Sequence, residues 1–282
     1  MLLVCLLFCL PLVYHVLFFF SISKHFLATF LTTLPGQPSL TISWQFCLFH
    51  DDQFGLDLTG VHVVGLDINK EALNELRATL SPAKCDTLAC DLLNITDIRD
   101  TVNGYMDQHG PIDLLVNCAG VAKFEPFFDT TPKAFDLQMG INVKALFYLT
   151  QLVTQRMVEA KVAGSVVHIS SQSSTLPLAD HLIYSSSKAT VDHMARIQAF
   201  ELGPHGIRVN TVRPTVVLTK LALEQWDVED LEVMKNQIPL KKLATTKDVA
   251  MAVSWLLSDE ASMVTGSTLA VDGGRSMGGY GL

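Results

Sequence analysis

The sequence predicts an α/β fold, one doubly wound parallel sheet with helices on both faces, and three observations carry that reading. From Gly60 onward, short apolar runs alternate with amphipathic stretches, as parallel strands joined by crossover helices do. The runs are brief and rich in Val, Leu and Ile, as strands buried on both faces must be. At 282 residues, with 17% charged side chains, the chain suits one sizeable domain with an appendage and does not require two.

In chain order, the expected strands are Val61 to Leu66, Thr87 to Cys90, Leu114 to Asn117, Ser165 to Ser170, Ile207 to Val212 and Ser267 to Val271. Helices are expected at about residues 69–79, 96–109, 132–160, 181–202, 218–236 and 247–258, with Asp67 and Thr96 as caps and Gly203-Pro204 as a stop. Residues 60–282 form the main domain on this reading, and residues 1–59 an apolar leader plus an atypical segment. Residues 1–20 contain no Asp, Glu, Lys or Arg, and the apolar character continues to about Phe30 past Lys24. That is long enough to cross a bilayer, so residues 2–20 are a candidate membrane anchor, with Lys24 placing the rest of the chain on the cytoplasmic side. Pro11 and the missing basic flank count against an anchor, and no small-x-small site marks a signal peptide. The other reading is a segment joined to the domain by an alternative exon. Residues 32–59 show no sustained period, although Leu40 to Ser43 could add a strand.

A formal charge of −8, with no run among the 20 Lys and Arg residues, excludes nucleic acid as a partner. The six cysteines, Cys5, Cys9, Cys47, Cys85, Cys90 and Cys118, include no C-x-x-C pair and none near a His at metal-ligand spacing. They read as free thiols in a reducing compartment, with a disulfide framework as the weaker reading, and no metal is expected.

Tyr184-Ser-Ser-Ser-Lys188 lies thirteen residues beyond Ser171, which follows an apolar strand in Val167-His-Ile-Ser-Ser-Gln172. On a helix, Lys188 falls one turn from Tyr184 on the same face, where its ammonium favours tyrosinate and makes the phenol a usable acid. Ser171 would hydrogen-bond a carbonyl oxygen and stabilise the charge that develops there. Asn142, in Met139-Gly-Ile-Asn-Val143, could hold a water that relays protons through Lys188. A lone Tyr-x-x-x-Lys pair is more often a solvated helix face, so the weight lies in the conjunction.

That conjunction resembles the short-chain dehydrogenase/reductase family. Asn117-Cys-Ala-Gly120, Asn142, Ser171, Tyr184-x-x-x-Lys188, Arg213-Pro214 followed by Thr219, and Gly266 with Asp272-Gly-Gly274 occur in the family's order and spacing, from about Gly60 to Gly274. The resemblance implies a Rossmann-type sheet and a catalytic tetrad of Asn142, Ser171, Tyr184 and Lys188, with site residues at the carboxyl ends of the strands. It implies that Val217 and Thr219 contact nicotinamide, that Asn117 stabilises the sheet, and that Ala119 and Gly120 pass close to the adenine ribose. Cys118 stands where a second Asn is commoner. Gln172, His181 and Trp226 are similar to sugar-pocket residues of the family's ketose reductases, implying a ketose or α-dicarbonyl as substrate. His181 could instead cap its helix, and Trp226 could be a lid packed on the core. A homotetramer through the helices at 132–160 and 181–202 is implied as well.

Asp67 ends the strand that begins at Val61. A carboxylate there can accept both ribose hydroxyls of NAD and repels a 2′-phosphate, so NAD is the expected cofactor and NADP the alternative. Asp91 should hydrogen-bond the adenine. The largest departure lies upstream: the family would place its first strand and Thr-Gly-x-x-x-Gly-x-Gly turn at about residues 37–49, where this chain has no glycine. A carbonyl reductase is the leading reading. The rivals are a catalytically impaired protein of the same fold and a membrane-tethered carbonyl or steroid reductase.

Overall fold

A computed structural model describes residues 14–19, 42–43, 61–80, 85–219 and 226–277. In chain order the elements are β1 (Tyr14–Phe19), β2 (Ile42–Ser43), β3 (Val61–Asp67), α1 (Lys70–Leu80), β4 (Cys85–Ala89), α2 (Ile95–His109), β5 (Leu114–Asn117) and β6 (Val121–Ala122). They continue as α3 (Pro132–Met139), α4 (Leu146–Ala160), β7 (Gly164–Ile169), α5 (Leu182–Leu202), β8 (Ile207–Pro214), β9 (Val217–Leu218), α6 (Val228–Asn236), β10 (Ala244–Thr245), α7 (Thr246–Leu257) and β11 (Thr268–Val271).

Seven strands form one sheet in the order β11-β8-β7-β5-β1-β3-β4, with every neighbouring pair parallel. The expected Rossmann-type sheet is present, but its central strand is not where the sequence spacing puts it. Tyr14–Phe19, read as part of a separate apolar leader, lies between β3 and β5, with Val16 opposite both Val63 and Leu114. A run without Asp, Glu, Lys or Arg and mostly apolar suits that place, since a central parallel strand is covered on both faces; hydropathy alone does not separate such a strand from a bilayer segment. Among the described residues no helix is long and apolar enough to cross a membrane. The strand suggested at Leu40 to Ser43 is the two-residue β2, which pairs antiparallel with β6 outside the main sheet.

Alternate residues of each strand feed opposite faces. Val63, Val116, Val167 and Val212 pack with Val249, Val253 and Leu256 of α7. Their neighbours Val64, Leu115, Val166 and Val209 pack with Ile98 and Val102 of α2, Leu149 and Val153 of α4, and Ala195 of α5. Each fully buried Leu or Val contributes roughly 1.5–3 kcal/mol, so a charged replacement at Val116 or Leu115 would break the sheet.

The helix caps differ from expectation. Asn69 Oδ1 accepts from the amides of Glu71 and Ala72, while Asp67 Oδ1 accepts from the Asn69 amide at 2.8 Å, leaving Asp67 as the turn residue before the cap. Asn94, not Thr96, caps α2. The helix expected over 132–160 is interrupted by a π-helical turn, Gly140–Ala145, which carries Asn142 inward. The helix expected over 218–236 shortens to α6, capped by Asp227, because Val217–Leu218 pairs as a strand with β10. Residues 220–225 lie outside the described set.

Candidate active site

The strand order reverses around β1, and the residues singled out above gather beyond the carboxyl ends of β5 and β7, beside that switch point. Tyr184 and Lys188 occupy successive turns of α5, and both are buried, at 3% and 2% exposure. The Lys188 ammonium lies 5.8 Å from the Tyr184 ring centroid and donates to the Ile169 carbonyl at 2.8 Å. Ser171 follows β7, where its Oγ accepts from the Ser173 amide at 3.2 Å and so opens the 3-10 turn Gln172–Ser174. Cys118, Ile169, Ser171, Tyr184, Lys188 and Thr215 line one cleft.

Burial holds the Tyr184 phenol well above its ordinary pKa, with a hydrogen bond from Ser171 drawing it partly back. Burial also brings Lys188 down to about 8, opposed by Cys118 and Asp192. The sequence reading has the lysine depressing the phenol; in the structure desolvation is the larger effect on both groups, and it leaves Tyr184 a protonated donor.

Asn142 is fully buried and spends its side chain on structure. Its Oδ1 accepts from the Val121 amide at 2.8 Å, and its Nδ2 donates to the Val121 carbonyl and to Ser187 Oγ, each at 2.9 Å. It thereby joins the π turn, β6 and α5 at the level of Tyr184. Gly120 passes beneath: a Cβ there would sit 3.3 Å from Lys188 Nζ and 3.5 Å from Asn142 Oδ1, so a side chain would fit only if the Lys188 tip gave by a few tenths of an ångström. Asn117 Nδ2 donates to Thr150 Oγ1 at 3.0 Å and lies 2.9 Å from His168 Nδ1, tying β5 to α4 and β7.

The ring of His181 stacks on Phe124 with centroids 3.9 Å apart, and Phe124 meets Tyr184 edge-on at 5.9 Å. His181 makes no cap hydrogen bond to α5, so the capping alternative fails. Its Nδ1 lies against the Ala179 carbonyl and must be the protonated nitrogen, leaving Nε2 as an acceptor; burial lowers its pKa. The side-chain oxygen of Gln172 is buried and finds no donor among the described residues. Trp226 packs on Val216, Leu231, Ile238 and Leu243, the lid-like arrangement, and does not line the Tyr184 cleft. Phe124 was not legible in the sequence, because it lies in a loop with no periodic pattern.

On the cofactor side, Asp67 ends β3 in a buried position and Asp91 follows β4, its Oδ1 accepting from the Leu93 amide at 2.9 Å. Leu92, Asn117, Ala119 and Ile141 line a second, largely apolar cleft between them and the π turn. Leu92 and Ile141 were missed from sequence, and the only signal for them is their adjacency to Asp91 and Asn142. Val217 is buried in β9, and Thr219, 7% exposed, follows it. An apolar slot for a base, a carboxylate for a ribose and a glycine at the closest approach fit a dinucleotide at its two ends. The pyrophosphate end differs: residues 20–35, which follow β1 in sequence, contain no glycine, and they lie outside the described set.

Comparison with known proteins agrees with this geometry. A family profile described as enoyl-(acyl carrier protein) reductase matches residues 56–276. The chain is 43% identical to L-xylulose reductase of Homo sapiens over 220 residues, 78% of this chain and 88% of that one. It is 42% identical to D-erythrulose reductase of Gallus gallus over 176 residues, 62% of this chain and 72% of that one. Among solved structures, gluconate 5-dehydrogenase from Burkholderia cenocepacia in complex with NADP and tartrate superimposes with a TM-score of 0.74 at 25% identity, covering 80% of this chain and 89% of that one. With the Tyr184-Lys188 cleft at the end of a seven-stranded parallel sheet, these matches establish that the chain belongs to the short-chain dehydrogenase/reductase family and is an NAD(P)-dependent oxidoreductase.

Proposed function

We propose that the chain reduces a short polyhydroxy ketone or an α-dicarbonyl, with Tyr184 delivering the proton. The observation that carries this is a buried phenol above a buried ammonium, with Ser171 lining the same cleft. The nicotinamide supplies the hydride when bound. The chain's own groups do the rest: Ser171 Oγ and the Tyr184 hydroxyl hold the substrate oxygen, and Tyr184 donates its proton as negative charge builds there. The charge of Lys188 stabilises the tyrosinate left behind, and Asn142 braces α5 through Ser187. A polar substrate is supported by Gln172, whose buried oxygen lacks a donor, and by His181 Nε2, which can accept from a hydroxyl.

Asp67 favours NAD, because its carboxylate would face a 2′-phosphate. A homotetramer is supported by exposed Phe147 on α4 and by Ile197 and Phe200 on α5. The buried free thiols Cys85 and Cys90 support a reducing, cytoplasmic setting. Tyr14–Phe19 within the sheet argues against using those six residues as an anchor. The test is NAD(P)H oxidation by the purified chain with L-xylulose, D-erythrulose, diacetyl and a steroid ketone. Turnover of the first three is expected; a preference for the steroid, or no turnover with cofactor demonstrably bound, defeats the proposal.

A further inference from the structure

Asp192 sits on α5 four residues beyond Lys188, which puts both side chains on one helix face. It is a carboxylate with 3% exposure. Its Oδ2 accepts from Ser174 Oγ at 2.6 Å and from Arg213 Nη2 at 3.1 Å. Ser174 ends the 3-10 turn that Ser171 begins. Arg213 lies in β8 immediately before Pro214 and Thr215, which wall the catalytic cleft. One carboxylate therefore joins the helix bearing Tyr184 and Lys188, the turn bearing Ser171, and the opposite wall of the cleft.

Folding does not demand this arrangement. A buried ion pair is often no more stabilising than apolar side chains of the same volume, because both charges lose their water. Here Asp192 Oδ1 and Arg213 Nε also lack partners among the described residues, so the pair is incompletely satisfied. Its effect on neighbours is more specific. The groups facing Lys188 are Tyr184 and Asp192 on its own helix, Cys118 after β5 and His168 from β7; Arg213 from β8 bonds Asp192, with Asp272 beyond Arg213. His168 is uncharged near neutral pH, its pKa brought down to about 4 by burial. Asp192 is thus the carboxylate that opposes desolvation of the Lys188 ammonium, and Arg213 competes with Lys188 for its charge.

We infer that Asp192 is a positioning residue, fixing the Ser171 turn against α5 and keeping Lys188 charged, and that Arg213 sets how much of the Asp192 charge reaches Lys188. The inference rests on the proposed roles of Tyr184 and Lys188, and its test does not need turnover. The full chain, labelled with 13Cε-lysine, is titrated by NMR, with Lys188 assigned through Lys188→Met. In Asp192→Asn the Lys188 midpoint should fall by about one pH unit, and in Arg213→Gln it should rise by a similar amount. Opposite shifts are the signature, since a merely structural pair would move both variants alike. If Asp192→Asn does not fold, Asp192→Asn/Arg213→Gln, which buries no unpaired charge, replaces it and must titrate about one unit below Arg213→Gln. Unshifted midpoints, shifts of one sign in both single variants, or a double variant titrating at or above Arg213→Gln overturn the inference. Loss of turnover with these shifts intact would count against the proposed reaction alone.

Discussion

The Lys188 ammonium donates to the carbonyl of Ile169, the last residue of β7, at 2.8 Å, so the charge that serves Tyr184 is anchored to the sheet. Burial brings that charge down from an ordinary 10.5 to about 8. The proposed reduction requires Tyr184 protonated and Lys188 charged. The phenol is held well above its usual range, so Lys188 is the first of the two to change as pH rises. The reductive kcat should be flat on the acid side of neutrality and fall about tenfold per unit above pH ~8. A profile measured at saturating cofactor checks this, and a rate flat to pH 10 would remove Lys188 from the step.

Tyr184 packs with Ala122 and Phe124, contacts that a phenylalanine ring keeps. Tyr184→Phe should therefore fold normally yet lose about 10²- to 10⁴-fold in kcat, the usual contribution of a positioned proton donor. Dinucleotide affinity should change little. Steady-state kinetics beside a thermal melt measures both, and near wild-type kcat would refute the assignment.

Most of the sheet was legible because each strand after Gly60 is a short branched-apolar run bounded by polar turns; β3, β5 and β8 fall within two residues of expectation. Strand β1 was not, because a central strand and a bilayer segment share one composition, and family spacing counted back from Gly60 placed the expected first strand near residue 37. The Tyr184 and Lys188 pair was legible because fixed spacing on a helix carries it, whereas Phe124 and Asp192 act through contacts between distant segments. The π turn at Asn142 was hidden because the helical pattern continues through it; the bonds to Val121 that accompany it span 21 residues.

His168 gives the fold an acid-sensitive point. Its Nδ1 faces Asn117 and its Nε2 faces Gln198 Oε1 at 2.8 Å, which suits a neutral ring protonated at Nε2. The folded-state pKa is about 4 against 6.5 unfolded, so between those values the unfolded chain takes up a proton that the folded chain refuses. Stability is thus fully present above pH ~6.5 and declines toward pH 4, by up to about 3 kcal/mol from this group. Urea midpoints at pH 7 and pH 5 should differ in the parent and differ less in His168→Gln. An equal pH dependence in the two proteins would contradict the assignment.

Asp67 should set cofactor choice. Its carboxylate ends β3 with Oδ1 engaged by the Asn69 amide, which fixes its orientation. Facing a 2′-phosphate, it would add like-charge repulsion in a buried setting. The ratio of kcat/KM for NADH over NADPH should exceed one and shrink at least tenfold in Asp67→Ser. A parent that prefers NADPH would show that a nearby cation overrides the carboxylate.

The last prediction concerns the phosphate grip. In this fold the pyrophosphate is bound by backbone amides at the turn after the central strand, where glycines let the chain approach the anion and enter a helix. The central strand here is Tyr14–Phe19, and the sequence that follows, Phe20-Ser-Ile-Ser-Lys-His-Phe26 and on to Pro35, contains no glycine. A side chain in such a turn hinders the close approach of amides to the anion. Each lost hydrogen bond to a charged group costs about 1.5–3 kcal/mol, and each 1.4 kcal/mol is a factor of ten, so two such losses weaken binding roughly a hundredfold or more. The chain should therefore bind NADH weakly, while a chimera carrying a glycine-loop segment from a family member in place of residues 20–59 should bind it at least a hundredfold more tightly. Calorimetric titration of both proteins decides the point. Micromolar affinity in the unaltered chain would mean that residues before Gly60 hold the phosphates by side chains, with Lys24 and His25 the first to replace by alanine.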